Sequence, residues 1–268
     1  MAASASSSPI RVVVHGAAGR VGAEAVRAIS GAQDMALTAA VDRIPQADVP
    51  PLPDGVPYYT DVRHALEHAT PDVIVDFSVA SASLPMLPIA IGAGARPVIG
   101  TTGFSDEQID YIDGLCREHK LGGVLAPNFA IGAVLLAKLA AMAAPYFDYA
   151  DIAEEHHEAK IDAPSGTALG LARALHEAHP ERFSRKAAER EPLAGTRGGD
   201  YEGITVHSSR MPGRMAHHQV TFGGPGQTLT LRHDTIDRQC YMPGVLLAVR
   251  KVGELEGLTV GLDKLMGI

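Results

Sequence analysis

At 268 residues, with 46% apolar and 20% charged side chains, the chain has ordinary soluble globular composition and length enough for one large domain or two modest ones. A net charge of −8 leaves no basic field to attract nucleic acid. Cys116 and Cys240 lie far apart and match no zinc or redox spacing, which suits a reduced, cytoplasmic compartment.

The chain opens with MAASASSSPIRVVV, which has no charged leader, and its apolar run breaks at Gly16. No run of about 18 apolar residues offers a membrane span. No signal peptide and no membrane partner are expected, and the Ser/Ala-rich tail is expected to be disordered. RVVVH (11–15) then predicts a buried strand, 21–30 a helix, 37–41 a second strand and 61–68 a helix. PDVIVDFS predicts a strand ending at Asp76 or Phe77, followed by a helix to about Gly94. Residues 95–103 predict a strand running into a polar turn, and 105–119 a helix with Ser105 as N-cap and Gln108 three residues on. GGVLAPNF supplies one more strand. Strands alternating with helices in this way predict a Rossmann-like parallel sheet with right-handed crossovers.

The pattern changes after Phe129. A long apolar helix is expected over 131–144, a strand over 148–155 and a helix over 167–179. Residues 180–202 are polar, charged and rich in glycine, and predict a mobile surface loop. ITVHSSRM, HHQVTFGG and QTLTLRHDT alternate between Gly/Pro turns, the mark of antiparallel hairpins, and 243–251 returns to helical spacing. The fold class is α/β: a parallel-sheet domain followed by an α+β domain with a mixed or antiparallel sheet.

HGAAGRVG (15–22) follows a strand and opens a helix. Its glycines at 16, 19 and 22 depart from G-x-G-x-x-G, because Ala18 and Val21 occupy the second and third positions. The spacing still permits a tight turn, close backbone approach to a pyrophosphate and a helix N-terminus aimed at negative charge. Asp42 ends the second strand where a carboxylate can grip a ribose hydroxyl, and Arg43 beside it suits a 2′-phosphate, so NADH and NADPH are both open. Gly100, Thr101 and Thr102, and then Ala126, Pro127, Asn128 and Phe129, fall at strand ends where open parallel sheets bind ligands.

EEHHEAKIDAPSGTA (154–168) carries the second constellation. His157-Glu158 begins a zincin pattern, but Ile161 stands where its second histidine must be, so no metal is expected. Ser165 lies between Ala163 and Thr167 instead of the two glycines a nucleophile elbow needs. An anion cradle is left. Ser165, Gly166 and Thr167 gather hydroxyls and backbone N–H groups at a helix start, and Lys160 adds a mobile cation. Of the paired histidines, one can act as general acid while the other binds an anion. Arg238 offers a further cation, whereas Arg210, Arg214, His217 and His218 read mostly as hairpin-face residues. An excess of such cations suits a dicarboxylic acid.

These residues resemble the 4-hydroxy-tetrahydrodipicolinate (dihydrodipicolinate) reductase family, over nearly the whole chain: HGAAGRVG, DFS, GTTG, APNF, E-x-HHxxKxDAPSGTA from Glu154, and FGGPGQTLTLRHDT with its arginine. The resemblance implies a dinucleotide-binding domain over 1–129 to which 241–268 returns, and a substrate-binding and oligomerisation domain over 130–240. It implies a homotetramer that reduces a small cyclic dicarboxylate at C4 with hydride from NADH or NADPH, losing water. By motif position His156 is the proton donor, Lys160 the second catalytic cation and His157 a substrate contact, while Gly166 and Thr167 hold a carboxylate. Cofactor contacts carry over onto Gly16, Ala17, Ala18, Gly19, Arg20, Val21, Asp42, Arg43, Gly100 to Thr102 and Ala126 to Phe129. Asp42 stands where the family often has glutamate, and Tyr241 where it often has phenylalanine. Related semialdehyde and homoserine dehydrogenases lack the paired histidines, and a catalytically silent binding protein would lack His156 or Lys160.

Overall fold

The protein is described by a computed structural model over residues 8–268. Residues 1–7, which make up most of the tail expected to be disordered, lie outside the described residues. The chain divides into a first unit running to Ile131 and resuming at Arg238, and a second unit from Gly132 to Asp237. No helix of the described residues is long and apolar enough to cross a membrane.

In chain order the elements are β1 (Ile10–His15), α1 (Arg20–Gly31), β2 (Met35–Val41), β3 (Tyr58–Tyr59), α2 (Val62–Ala69), β4 (Val73–Asp76), α3 (Ala80–Gly92), β5 (Arg96–Ile99), α4 (Asp106–Glu118) and β6 (Gly122–Leu125). They continue with α5 (Ile131–Ala143), β7 (Tyr149–His156), α6 (Gly166–Ala178), β8 (Gly199–Tyr201), β9 (Ile204–Arg210), β10 (Ala216–Gly224) and β11 (Gln227–Thr235). The chain ends with α7 (Met242–Lys251), β12 (Gly257–Val260) and α8 (Leu262–Met266).

The first unit is built on a sheet ordered β12-β6-β5-β4-β1-β2-β3, in which every neighbouring pair is parallel. Its inner strands read as unbroken apolar runs (Val12 to Val14, Val73 to Val75, Val98-Ile99) because helices cover both faces. Ile74, Ile99, Leu87, Ile91 and Ile112 form the core of one such layer. Ser105 and Gln108 start α4 with a reciprocal capping box. The strand order reverses at β1, which has β2 on one side and β4 on the other, so the C-terminal ends of β1 and β4 frame the crevice where sheets of this kind take ligands. Strand β12, bracketed by Gly257 and Gly261 at positive φ, pairs with β6 at the far edge; so short a run between glycines gave no strand signal in the sequence.

The second unit holds a mixed sheet ordered β11-β10-β7-β9-β8. β7 runs parallel to β9 and antiparallel to β10, while the β10–β11 and β8–β9 pairs are antiparallel. Its inner face packs Ile152, Val220, Phe222 and Ile204 against Leu171 and Leu175 of α6.

The structure corrects one sequence expectation here. Part of 180–202 is not a mobile loop: residues 199–201 are β8, joined to β9 through Glu202 and Gly203, both at positive φ, as a two-residue hairpin requires. Phe183 is 2% exposed and belongs to the core. A Cβ on Gly203 would fall 1.9 Å from the Phe183 carbonyl oxygen, so only glycine allows the hairpin to close over that segment. Charge and glycine content masked one buried aromatic anchor and one tight turn.

Candidate active site

Strand parity builds the polar cluster of the second unit. Along β7, Ala150, Ile152, Glu154 and His156 share the buried face, because side chains alternate with period two. Glu154 is 1% exposed, and a carboxylate in that place has to be paired. Register supplies the partners: His218 of β10 and Ser208 of β9 lie opposite Glu154, and Arg210 lies opposite His156. Both Arg210 terminal nitrogens donate to the two Glu154 oxygens, at 2.8 and 3.0 Å. His156 Nδ1 makes a short hydrogen bond to Glu154 Oε2, and the Ser165 N–H donates to Oε1 at 3.2 Å.

Burial alone would raise the Glu154 pKa, but hydrogen bonds from Arg210, Ser208 and His156 outweigh it and hold the group below the usual carboxylate range. An ionised carboxylate only accepts, so Nδ1 of His156 carries the hydrogen and Nε2 is left for a ligand. Burial pushes His156 below the ordinary histidine value, against the upward pull of Glu154. His218 is pushed down to about 4, chiefly by burial, and its Nε2 shares a hydrogen bond with Ser165 Oγ at 3.1 Å. Ser165 also caps α6 through its hydroxyl, which accepts from the Ala168 N–H at 3.2 Å. That leaves the first N–H groups of the helix, on Gly166 and Thr167, for an anion. In the turn after β7, half-buried His157 and Lys160 are linked by a backbone bond of 3.1 Å, and Lys160 Nζ reaches Asp162 at 2.6 Å.

Glu154, His156 and His218 each offer one metal-ligand atom within 4.8 Å of the others among the described residues. The Arg210 guanidinium on both Glu154 oxygens occupies that carboxylate and repels a cation, so the donor set does not suit a metal.

In the first unit the glycine turn is as tight as its spacing requires. Gly16 has φ +78°, and a Cβ on Gly22 would lie 2.0 Å from the Gly16 carbonyl oxygen. The Gly16, Ala17 and Gly19 N–H groups are used within the sheet and turn, and the Ala18 N–H donates to Asp42 Oδ2 at 3.0 Å. Gly19 carries no side chain to cap α1, so the helix's opening N–H groups, on Arg20 and Val21, face outward for an anion. A cleft of about 210 Å³ beside the turn is lined by residues that include His15, Asp42, Arg43, Asp61, Pro85 and Met86. Beneath it, buried Asp76 accepts from Thr101 Oγ1 at 2.8 Å and pairs with His15 Nδ1 at 2.7 Å. An open helix start, a carboxylate at the second strand end and an adjacent cleft fit a dinucleotide.

Residues 10–129 match the description "Dihydrodipicolinate reductase, N-terminus" and residues 132–266 "Dihydrodipicolinate reductase, C-terminus". The chain belongs to the dihydrodipicolinate reductase family. Curated relatives called 4-hydroxy-tetrahydrodipicolinate reductase include one from Moorella thermoacetica, 47% identical over 262 residues, and one from Dehalococcoides mccartyi, 43% identical over 261; each alignment covers 96% of this chain and 98% of the relative. A solved dipicolinate-bound dihydrodipicolinate reductase from Paenisporosarcina sp. TG-14 superposes with a TM-score of 0.87 at 40% identity, covering 96% of this chain and 99% of the other. An amine dehydrogenase from Mycobacterium smegmatis, 16% identical with a TM-score of 0.65 over 96% of each chain, shares the fold alone. The reductase converts 4-hydroxy-tetrahydrodipicolinate to tetrahydrodipicolinate in diaminopimelate and lysine biosynthesis, using NADH or NADPH.

Within the reductase, His156, His157, Lys160, Ser165, Gly166 and Thr167 come together in the second unit. Gly16 to Gly19, Asp42, Arg43, Gly100 to Thr102 and Ala126 to Phe129 fall at strand ends or turns of the first, and Arg20 and Val21 open its helix α1. Arg238 belongs to the first unit, on the short turn that leads into α7. Thr101 has its hydroxyl committed to Asp76, and Ala17 and Ala126 are each 1% exposed, so these three offer mainly backbone to a ligand. Sequence reading passed over Glu154 as a site residue and placed Arg210 and His218 on a hairpin face. The available signal was parity: YADIAEEH puts a carboxylate in step with Ile152 on a core-facing strand.

Proposed function

We propose that His156 is the proton donor of the reduction and Lys160 the second catalytic cation, with His157, Ser165, Gly166, Thr167 and Arg238 holding the two carboxylates of the substrate. The observation that carries this is the aim of one ring: Nδ1 of His156 is fixed on Glu154, which frees Nε2 beside a helix start with open N–H groups. When bound, NADH or NADPH supplies the hydride that reaches C4 of the ring. Loss of the C4 hydroxyl with a hydrogen of the adjacent carbon releases water, and the proton that replaces that hydrogen comes from Nε2 of His156.

A histidine held below its ordinary pKa is seldom protonated in the resting enzyme and so has little proton to give. An incoming dianion next to it favours the protonated ring, so the acid becomes charged as substrate binds. Gly166 and Thr167 receive one carboxylate through backbone N–H groups, and Lys160 can leave Asp162 for the anion because that exposed pair is weak. On the cofactor side, Asp42 is the ribose contact and Arg43 the 2′-phosphate contact. The second unit is also proposed to assemble the protein into a homotetramer in the cytoplasm; β11, an edge strand of its sheet, suits pairing between copies.

The test is His156→Gln and Lys160→Met, assayed with the unstable substrate made in place. A fall in kcat of roughly 10²–10⁴-fold is expected for His156→Gln, with KM little changed. An effect confined to KM in both variants would contradict the proton-transfer assignment.

A further inference from the structure

Glu154 has more partners than a structural carboxylate needs. It lies on the core face of β7, with one oxygen on the Ser165 N–H and on Arg210, and the other on Arg210 and His156 Nδ1. Arg210 extends the array by donating to the Asp162 carbonyl at 2.6 Å, in the same turn as Lys160. One ion pair, with its carboxylate buried, therefore touches the acid histidine, the serine that starts the anion-binding helix and the turn that carries the lysine. Register makes this possible, since β9 and β10 flank β7 on both sides.

From this geometry we infer that the Glu154–Arg210 pair is the positioning device of the reaction: Glu154 fixes the His156 ring with Nε2 outward, and Arg210 offsets the carboxylate so that the ring can give up its proton. The inference rests on the proton-donor reading of His156 proposed above. Each half is needed. A lone carboxylate against the ring would hold the imidazolium too firmly to release a proton, whereas a neutral partner would let the ring turn and present Nδ1. The charged and titratable groups around the ring are Glu154 from β7 itself, Arg210 from β9, His218 from β10 and Lys160 from the following turn. Burial and both cations push the ring toward the neutral form, and Glu154 alone opposes them.

Removing either half should displace the kcat pH profile, in opposite directions. Glu154→Gln removes the pull toward the charged ring, so the alkaline limb should move to lower pH, with kcat reduced roughly 10²-fold and KM little changed. Arg210→Met leaves Glu154 unopposed, so the limb should move to higher pH. Glu154→Asp should recover part of the lost rate. Nitrogen NMR of the His156 ring in the unaltered enzyme adds a readout independent of whether the variants fold, and the Nδ1–H form is expected. The inference is overturned by an Nε2–H ring in that enzyme, by a wild-type profile in Glu154→Gln, or by limbs that move the same way in both variants. An unimpaired His156→Gln variant would instead remove the proton-donor reading itself. A slow His156→Gln beside an unimpaired Glu154→Gln would remove only the positioning role.

Discussion

A histidine that is 4% exposed is kept neutral at a cost that appears only in acid, which makes His218 a measurable marker of the site. Its folded pKa of about 4 lies below the ordinary 6.5, so the unfolded chain takes up the proton first. Stability is therefore full above about 6.5 and is lost as the pH falls toward 4, by roughly 3 kcal/mol. Denaturant unfolding at a series of pH values should show this loss in the unaltered protein and much less of it in His218→Gln; equal slopes would contradict the assignment. For Arg43→Ala, NADPH should lose more affinity than NADH, whereas equal losses would remove Arg43 as the 2′-phosphate contact. At this scale the sequence showed the groups that cluster along the chain, His156, Lys160 and Ser165. It hid those that meet across strands: Arg210 reaches Glu154 over 56 residues, and His218 reaches Ser165 over 53. Neither separation leaves a local pattern to read.

Among the elements, legibility followed the strength of the local rule. Buried apolar runs marked the parallel strands, and the reciprocal pairing of Ser105 with Gln108 marked the start of α4. Hairpin residues were harder because parity decides which face a side chain takes. His217 does lie on the outer face, paired with Asp234, and Arg214 pairs with Glu155 from the turn before β10, while Arg210 and His218 turn toward the cluster around Glu154. The glycine turn tests the same reasoning in reverse. Gly22→Ala would force its Cβ against the Gly16 carbonyl, with a stability loss of about 1–3 kcal/mol and weaker dinucleotide binding, but unchanged affinity for a dicarboxylate inhibitor. Calorimetry with each ligand separates the two effects; a parallel loss of both would show that the damage is global. Ser165→Ala removes the cap of α6 and should cost about 1 kcal/mol, together with affinity for the dicarboxylate.

For the molecule as a whole, α7 and β12 rejoin the first unit after the second is complete; helical spacing marked α7, whereas β12 was the least legible part of the topology. Alternation along the chain foretold both sheets, but a four-residue strand between glycines foretold nothing about which edge it would join. The proposed homotetramer sets a mass of four times 28.1 kDa, about 112 kDa, for light scattering in solution; a monomer at micromolar concentration would contradict it. The central claim is the reduction itself, with hydride from the bound dinucleotide and, as proposed, a proton from His156. It is tested most directly by following the nicotinamide absorbance of NADH and NADPH while the condensing enzyme of the preceding step supplies fresh substrate. Oxidation of at least one dinucleotide is expected, dependent on that substrate and collapsing in His156→Gln; no oxidation of either, or an undiminished rate in His156→Gln, would contradict the account.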